Sequence, residues 1–294
     1  MREGPVRLAT RAMGTRFEFV LIPGRSATHA RAGGEEAIAL IHEWHDRLSA
    51  FDPGSLISTI NREARRRPVR VDDELFDLLG LCERVRVESD GAFDVSVGSL
   101  MRACGFRPTS GDRGEVITGE RAVMLDASAR TVTLHGDAEI DLGAIAKGAA
   151  LDEARRVLID AGVHSALIHG GSSTVVAIGA PPGQDAWRVR LGEGDTPAIA
   201  RLRDQALSYS SARGDVQHVM DPRRGAPASA CRASACLGDS AALTDAWATA
   251  LLVRGRRPAS MPDDLTSAIL INDAWTLCGA DGDRIELQTQ EMCS

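Results

Sequence analysis

The sequence predicts an α+β fold, and three observations carry that assignment. Several separate stretches repeat apolar residues at helical spacing, and others alternate as strands do. The two kinds follow one another irregularly, with no series of strand–helix–strand units that would build a doubly wound sheet. No internal repeat or linker divides the chain. Residues 1–278 therefore read as a single domain, and residues 279–294 as a polar C-terminal tail.

Taken in order, Thr15 to Ile22 alternates with Phe17, Phe19 and Leu21 on one side, and Pro23-Gly24 ends that strand. Ile38, Ile41, His45 and Leu48 form one stripe of a helix from about Glu35 to Leu48. Asp52-Pro53-Gly54 is a turn, because proline presets φ and glycine admits the left-handed region. A second helix is capped by Asp72 or Asp73, carries Leu75, Leu78, Leu79, Cys82 and Val85, and stops before Ser89-Asp90-Gly91. The Gly-, Arg- and Asp-rich stretch from about Arg107 to Glu120 reads as a surface loop. Thr131 to Leu134 and Ala138 to Ile140 read as strands around His135-Gly136-Asp137. A third helix runs from near Ala144 to Ala161 with Gly162 as its left-handed C-terminal cap. Ser165 to His169 and Thr174 to Ile178 are strands flanking Gly170-Gly171, and Trp187 to Leu191 is another. Leu243, Ala246, Trp247, Ala250 and Leu251 mark a fourth helix.

The chain is 44% hydrophobic and 26% charged, with a net charge of −7. That balance leaves no basic footprint for nucleic acid. No apolar run reaches the ~18 residues of a membrane span. Met1 to Met13 holds no continuous apolar stretch, so the chain as it stands reads as cytoplasmic. Six cysteines form no C-x-x-C pair and no zinc-ligand set. There is no G-x-S-x-G elbow, no P-loop and no G-x-G-x-x-G after a strand.

The densest chemical signal is Asp141-Leu142-Gly143-Ala144-Ile145-Ala146-Lys147-Gly148. Here a strand ends at an acid, a glycine follows, and a helix opens with a lysine in its first turns. Exposed N–H groups, a positive helix end and a cation together suit a diphosphate. A tightly packed strand–helix corner with a solvated lysine fits the same residues, and both readings stay open at this level. Asp245 and Thr249 stand four apart, so on a helix their oxygens share a face and suit Mg²⁺. The same pair also suits a dipole-favoured acid and a threonine bonded to its own backbone. His218, ahead of Asp221-Pro222, is placed either as a general acid or base or as a structural turn residue. Gly170-Gly171 lets a flat ligand approach the backbone, although glycine pairs are common.

In this order the motifs resemble the FAD:protein FMN transferase (ApbE) family. The resemblance runs from about Ala12 to Gly255. It is carried by Met13-Gly14-Thr15, by Leu48-Ser49 with Asp52, Ser55 to Ser58 and Asn61, and by Ser89 to Val95 with Val97-Gly98. Asp141 to Gly148 with Asp152, Gly170-Gly171, His218 to Pro222 with Gly225, and Asp245 to Thr249 complete it. The resemblance implies two packed mixed α/β lobes with a flavin cleft between them, Mg²⁺ as cofactor and FAD as substrate. It implies transfer of FMN to a Thr or Ser of an acceptor flavoprotein, with release of AMP. It places Mg²⁺ on Asp245, Thr249 and the main-chain oxygen of Ala144, and assigns His218 as the base. Lys147 and Asp152 would hold the nucleotide, Met13, Phe93 and Asp94 would shape the flavin cleft, and Gly170 and Gly171 would line the approach to it. Departures from the family pattern are Ser172 after the glycine pair, Leu56, and Tyr209-Ser210-Ser211 where the family carries Thr-Ser-Gly. The same residues would serve an FAD pyrophosphatase, with water as acceptor, or a non-catalytic flavin carrier.

Overall fold

The computed structural model describes residues 4–24, 26–106, 118–119, 122–192, 197–212, 219–279 and 282–287. The chain opens with a hairpin of β1 (Val6–Ala12) and β2 (Thr15–Leu21), in full antiparallel register. Its two-residue turn, Met13-Gly14, places both residues at positive φ (49° and 71°). This is the mirror-image turn that matches strand twist, although glycine is favoured at such positions over methionine.

Helix α1 (Ala27–Leu48) starts eight residues before the expected start at Glu35, because Ser26 caps it by accepting from the His29 N–H. Next come α2 (Leu56–Glu63), β3 (Val69–Arg70), α3 (Asp73–Glu88) and α4 (Gly98–Ala103). Asp72 caps α3, and that helix stops at Ser89 as its periodicity implies. β4 (Val123–Asp126) and β5 (Thr131–Leu134) complete a small sheet in the order β3-β5-β4. Ala138 to Ile140 does not form the expected strand. It makes a single bridge, Glu139 to Val97, because the chain is leaving this sheet for the core.

Helix α5 (Ala146–Asp160) ends at Gly162, whose φ is 75°. β6 (Ala166–Gly170), β7 (Thr174–Ile178), β8 (Trp187–Leu191), β9 (Ala198–Leu202) and β10 (Ala206–Ser211) follow. The short ribbon β11 (Met220–Asp221) and β12 (Ala226–Pro227) leads to β13 (Ala233–Gly238) and helix α6 (Ala241–Arg254). The last described elements are β14 (Thr266–Ile271), β15 (Ala274–Cys278) and β16 (Ile285–Leu287).

Eight strands form the main sheet in the order β1-β2-β6-β7-β10-β13-β14-β15, every neighbour antiparallel. The larger core lies between one face of this sheet and helices α1, α5 and α6. It encloses Phe17, Phe19 and Trp247, all essentially inaccessible to water. On the other face a three-stranded sheet, β16-β9-β8, covers a smaller core of Leu167, Val175, Val189, Leu191, Leu207 and Ile285. The segment read as a polar tail therefore contributes a strand. Ile285 is 4% exposed and pairs with Ala200. Three residues, Ile-Glu-Leu, are too short a run to announce a strand. No helix among the described residues is long and apolar enough to cross a membrane.

Candidate active site

The site begins where the chain enters α5. Asn61, on α2, holds the extended segment at Ile140 from both sides: its Nδ2 donates to the Ile140 carbonyl (2.9 Å) and its Oδ1 accepts from the Ile140 N–H (2.7 Å). The Asp141 N–H donates to the Val95 carbonyl (2.7 Å), and Glu139 is paired with Arg65 and Arg102. Asp141 then turns the chain by accepting from the Gly143 N–H (2.8 Å). Helix α5 starts with no side-chain cap of its own. A buried carboxylate from another helix takes part of that role, since the Gly148 N–H donates to Asp245 Oδ2 (3.2 Å).

Close backbone contact makes this bond possible. A Cβ on Gly148 would stand 2.2 Å from the Ala241 carbonyl oxygen, so only glycine admits the approach of α5 to α6. Helix α6 is held at that point by Asp152, which accepts from Ala241 N–H (2.8 Å), Ala242 N–H (3.0 Å) and the Ser240 hydroxyl (2.8 Å). Asp245 is 3% exposed, and burial pushes its carboxyl above the ordinary carboxylate value. Lys147, the Gly148 N–H and the Thr174 hydroxyl act in the opposite direction without overcoming it. Lys147 Nζ lies 3.7 Å from Asp245 Oδ2 and donates to the Gly143 carbonyl (3.1 Å).

Asp141, Gly143, Lys147 and Asp245 open onto a cavity of about 1100 Å³. Asp141, Gly143, Ala144, Lys147, Asp245 and Thr249 form its polar centre. One apolar wall holds Phe93, Val95, Val97, Met101 and Phe106, with Val219, Met220 and Pro222 beside them. The other holds Val175, Val189, Leu191, Leu207 and Tyr209, together with His169. Asp94, buried and raised by that burial, accepts from the Ser96 N–H and hydroxyl and from the Gly119 N–H, so its oxygens brace the loop behind Phe93. Cys82, Cys231 and Cys236 are buried and hydrogen-bonded or packed away from the cavity; burial pushes the Cys231 thiol up to about 11.

The structure thus brings Phe93, Asp94, Ala144, Lys147, Asp245 and Thr249 to one cavity and leaves four other expected residues outside its lining. Asp152 is occupied as the cap of α6. Met13 sits in the first hairpin turn, its N–H on His45 Nδ1 (3.2 Å). Gly170 and Gly171 answer packing demands: a Cβ would meet Leu151 and Phe17 at the first, and Thr15 Oγ1 at 2.3 Å at the second. His218 lies outside the described residues. The chain resumes at Val219 and Met220, which line the cavity, and Asp221 is clamped there by the Arg223 side chain and N–H. Sequence reasoning missed His169. Its signal was its alternation with Leu167 on a strand running into Gly170-Gly171.

The donors at the polar centre are hard oxygens. The Ala144 carbonyl receives no hydrogen bond among the described residues, because the Gly148 N–H four residues on is turned to Asp245. The Thr249 hydroxyl is likewise without a partner among them. No group of three or more His, Cys, Asp or Glu gathers there or elsewhere in the described chain. A cation at this centre would have few protein ligands and keep its waters, which is the habit of Mg²⁺ and not of Zn²⁺.

Known proteins match this chain over most of its length. The FAD:protein FMN transferase of Rhodobacter capsulatus is 31% identical over 235 residues, covering 72% of this chain and 44% of that protein, so the chain spans less than half of that relative. That of Klebsiella pneumoniae (strain 342) is 26% identical over 279 residues, covering 85% and 78% of the two chains. The flavin transferase ApbE from Vibrio cholerae superposes with a TM-score of 0.82 at 22% identity, covering 95% and 97%. The ApbE protein of Thermotoga maritima gives 0.81 at 23%, covering 94% and 97%. At these identities the superpositions establish the mixed α+β fold. The model of the ApbE family matches residues 13–262, and the chain belongs to that family.

Proposed function

We propose that the protein is a Mg²⁺-dependent FAD:protein FMN transferase, and that the 1100 Å³ cavity is its flavin cleft, set between two lobes. The supporting observation is the juxtaposition of Asp245, Thr249, Lys147 and the start of α5 between two apolar walls. A molecule with ring systems joined by a diphosphate suits a large cavity whose lining combines apolar side chains with the charged groups at the start of α5.

In the proposed reaction the hydroxyl oxygen of an acceptor Thr or Ser bonds to the FMN phosphorus. The P–O bond to the AMP phosphate breaks, and AMP leaves with the electron pair. His218 takes the hydroxyl proton. Mg²⁺, held by Asp245, Thr249 and the Ala144 carbonyl, would offset charge on the phosphoryl oxygens. The chain's own contribution is positional. Lys147 adds positive charge beside the α5 N-terminus, Asn61 fixes the chain at Ile140 ahead of it, and Gly148 holds it against α6.

The test is incubation with FAD, with and without Mg²⁺ and with and without a flavoprotein carrying an accessible Thr or Ser acceptor. AMP release with flavin fixed covalently to the acceptor is the expected result. Tyr209, a bulky ring on the cavity wall, supports a second reading in which water replaces the acceptor. AMP and free FMN, formed regardless of acceptor, would establish that pyrophosphatase. FAD bound but intact under every condition would make the protein a flavin carrier.

A further inference from the structure

We propose that His169 and Tyr209 form a ring-binding shelf in the cavity, where the His169 imidazole hydrogen-bonds the edge of a planar heterocycle of FAD. The inference rests on the FAD reading above and adds a determinant that the sequence motifs do not contain.

The shelf follows from strand register. His169 on β6 stands opposite Val175 on β7, and Val175 stands opposite Leu207 on β10. The three side chains therefore form one row across the main sheet, and Tyr209 lies two residues beyond Leu207 on the same face. Leu167, two residues before His169, is already packed in the small core with Val189 and Leu191 of β8. His169 thus marks the place where that core opens into the cavity, and His169, Val175, Leu207 and Tyr209 all line it.

Among the described residues the imidazole makes no hydrogen bond and no ion pair. Burial holds it below its ordinary pKa, with Glu18 opposite it on β2 pulling weakly the other way. A neutral imidazole offers one N–H donor and one bare nitrogen acceptor. Neither ring nitrogen is among the water-excluded polar atoms, so both are open to the cavity, where a ligand edge of matching polarity would take the place of solvent. Adenine and the isoalloxazine ring both present neighbouring donor and acceptor positions at one edge, and both offer a flat face to Val175, Leu207 and Tyr209. The chemistry is common to the two rings, so the ring is identified by experiment.

The measurement is a titration of FAD against the full chain by flavin fluorescence, for the wild type, His169→Ala and His169→Gln. AMP and FMN are then used as separate competitors. His169→Ala is expected to weaken FAD about tenfold, the equivalent of one hydrogen bond. His169→Gln, which keeps a donor and an acceptor, should stay within about threefold of the wild type. One competitor, AMP or FMN, should lose affinity in His169→Ala while the other does not, naming the ring. In turnover with an acceptor, KM for FAD should rise while kcat holds, and the thermal midpoint should not move. Unchanged FAD affinity in His169→Ala overturns the proposal. Equal weakening of AMP and FMN accompanied by a fall in thermal midpoint overturns it too, since that is the mark of a packing role. A wild type that binds no FAD overturns the proposed function and this inference together.

Discussion

Replacing Gly148 by alanine tests whether the backbone contact between α5 and α6 builds the site. An alanine Cβ would lie 2.2 Å from the Ala241 oxygen, 2.5 Å from its carbonyl carbon and 2.7 Å from Ala242 Cα. All three are backbone atoms of a helix end pinned by Asp152 and Ser240, so no side chain can swing aside. Ordinary contact requires the helices to part by about 1 Å. Alanine gains about 1 kcal/mol in helix propensity over glycine. Against this, overpacking costs about 1–3 kcal/mol, and the parted helices lose the charged Gly148–Asp245 bond, worth about 1.5–3 kcal/mol. The expected result is a net destabilisation of about 2–4 kcal/mol by urea unfolding. Flavin transfer measured well below the midpoint should fall about 100-fold, because Lys147 and Asp245 no longer share one geometry. Gly80→Ala is the control: it lies in α3 with nothing within 4 Å of the added carbon, and should gain about 0.5–1 kcal/mol with activity intact. A Gly148→Ala protein as stable as the wild type and active within a factor of two would refute the reasoning.

Asp245→Asn should abolish transfer by about 10²-fold or more while the protein stays folded, measured as AMP release at saturating Mg²⁺. The same variant carries a pH signature. Because burial raises the Asp245 pKa on folding, its favourable contribution is present below the ordinary carboxylate value and lost as pH rises through the folded value. The stability of Asp245→Asn relative to wild type should therefore increase with pH across that window, and a flat or opposite trend in urea midpoints would contradict the assignment. Asp152→Ala should cost about 2 kcal/mol through loss of the α6 cap, with KM for FAD unchanged in cool assays; a selective rise in KM would return it to the nucleotide. His218→Ala should slow transfer by about 10²–10⁴-fold with FAD affinity preserved, and an unchanged rate would place the proton acceptor elsewhere.

Residues whose roles are local were legible in the chain. Asp72 as the cap of α3, Gly162 at the end of α5, and Asp245 with Thr249 on one face of α6 all follow from spacing within a turn or two. Asp141 to Gly148 was legible as the entry to a helix for the same reason, whereas the strand expected before it is reduced to the single Glu139–Val97 bridge. Asp152 was not: the N–H groups that it accepts from belong to residues 89 and 90 positions away, and nothing in its neighbours announces them. Gly170 and Gly171 were noticed, but their reason is contact with Phe17, Thr15 and Leu151, set by how the first hairpin lies on α5. His169 went unread because a strand's period tells which residues share a face, not what that face meets.

By itself, then, the sequence determined the elements with strong periodicity, the caps and turns that bound them, and the family of motifs that places the chemistry. Tertiary structure alone decided the order of the main sheet, in which β10 lies beside β7 and β13 although two strands and a ribbon intervene in the chain. It also decided the second sheet closed by β16, the burial that raises Asp245, and the meeting of Gly148 with Ala241. The physical reason is range. Periodicity and capping are enforced by neighbours a few bonds away, whereas strand order, desolvation and backbone contact arise only when distant segments compete for the same core.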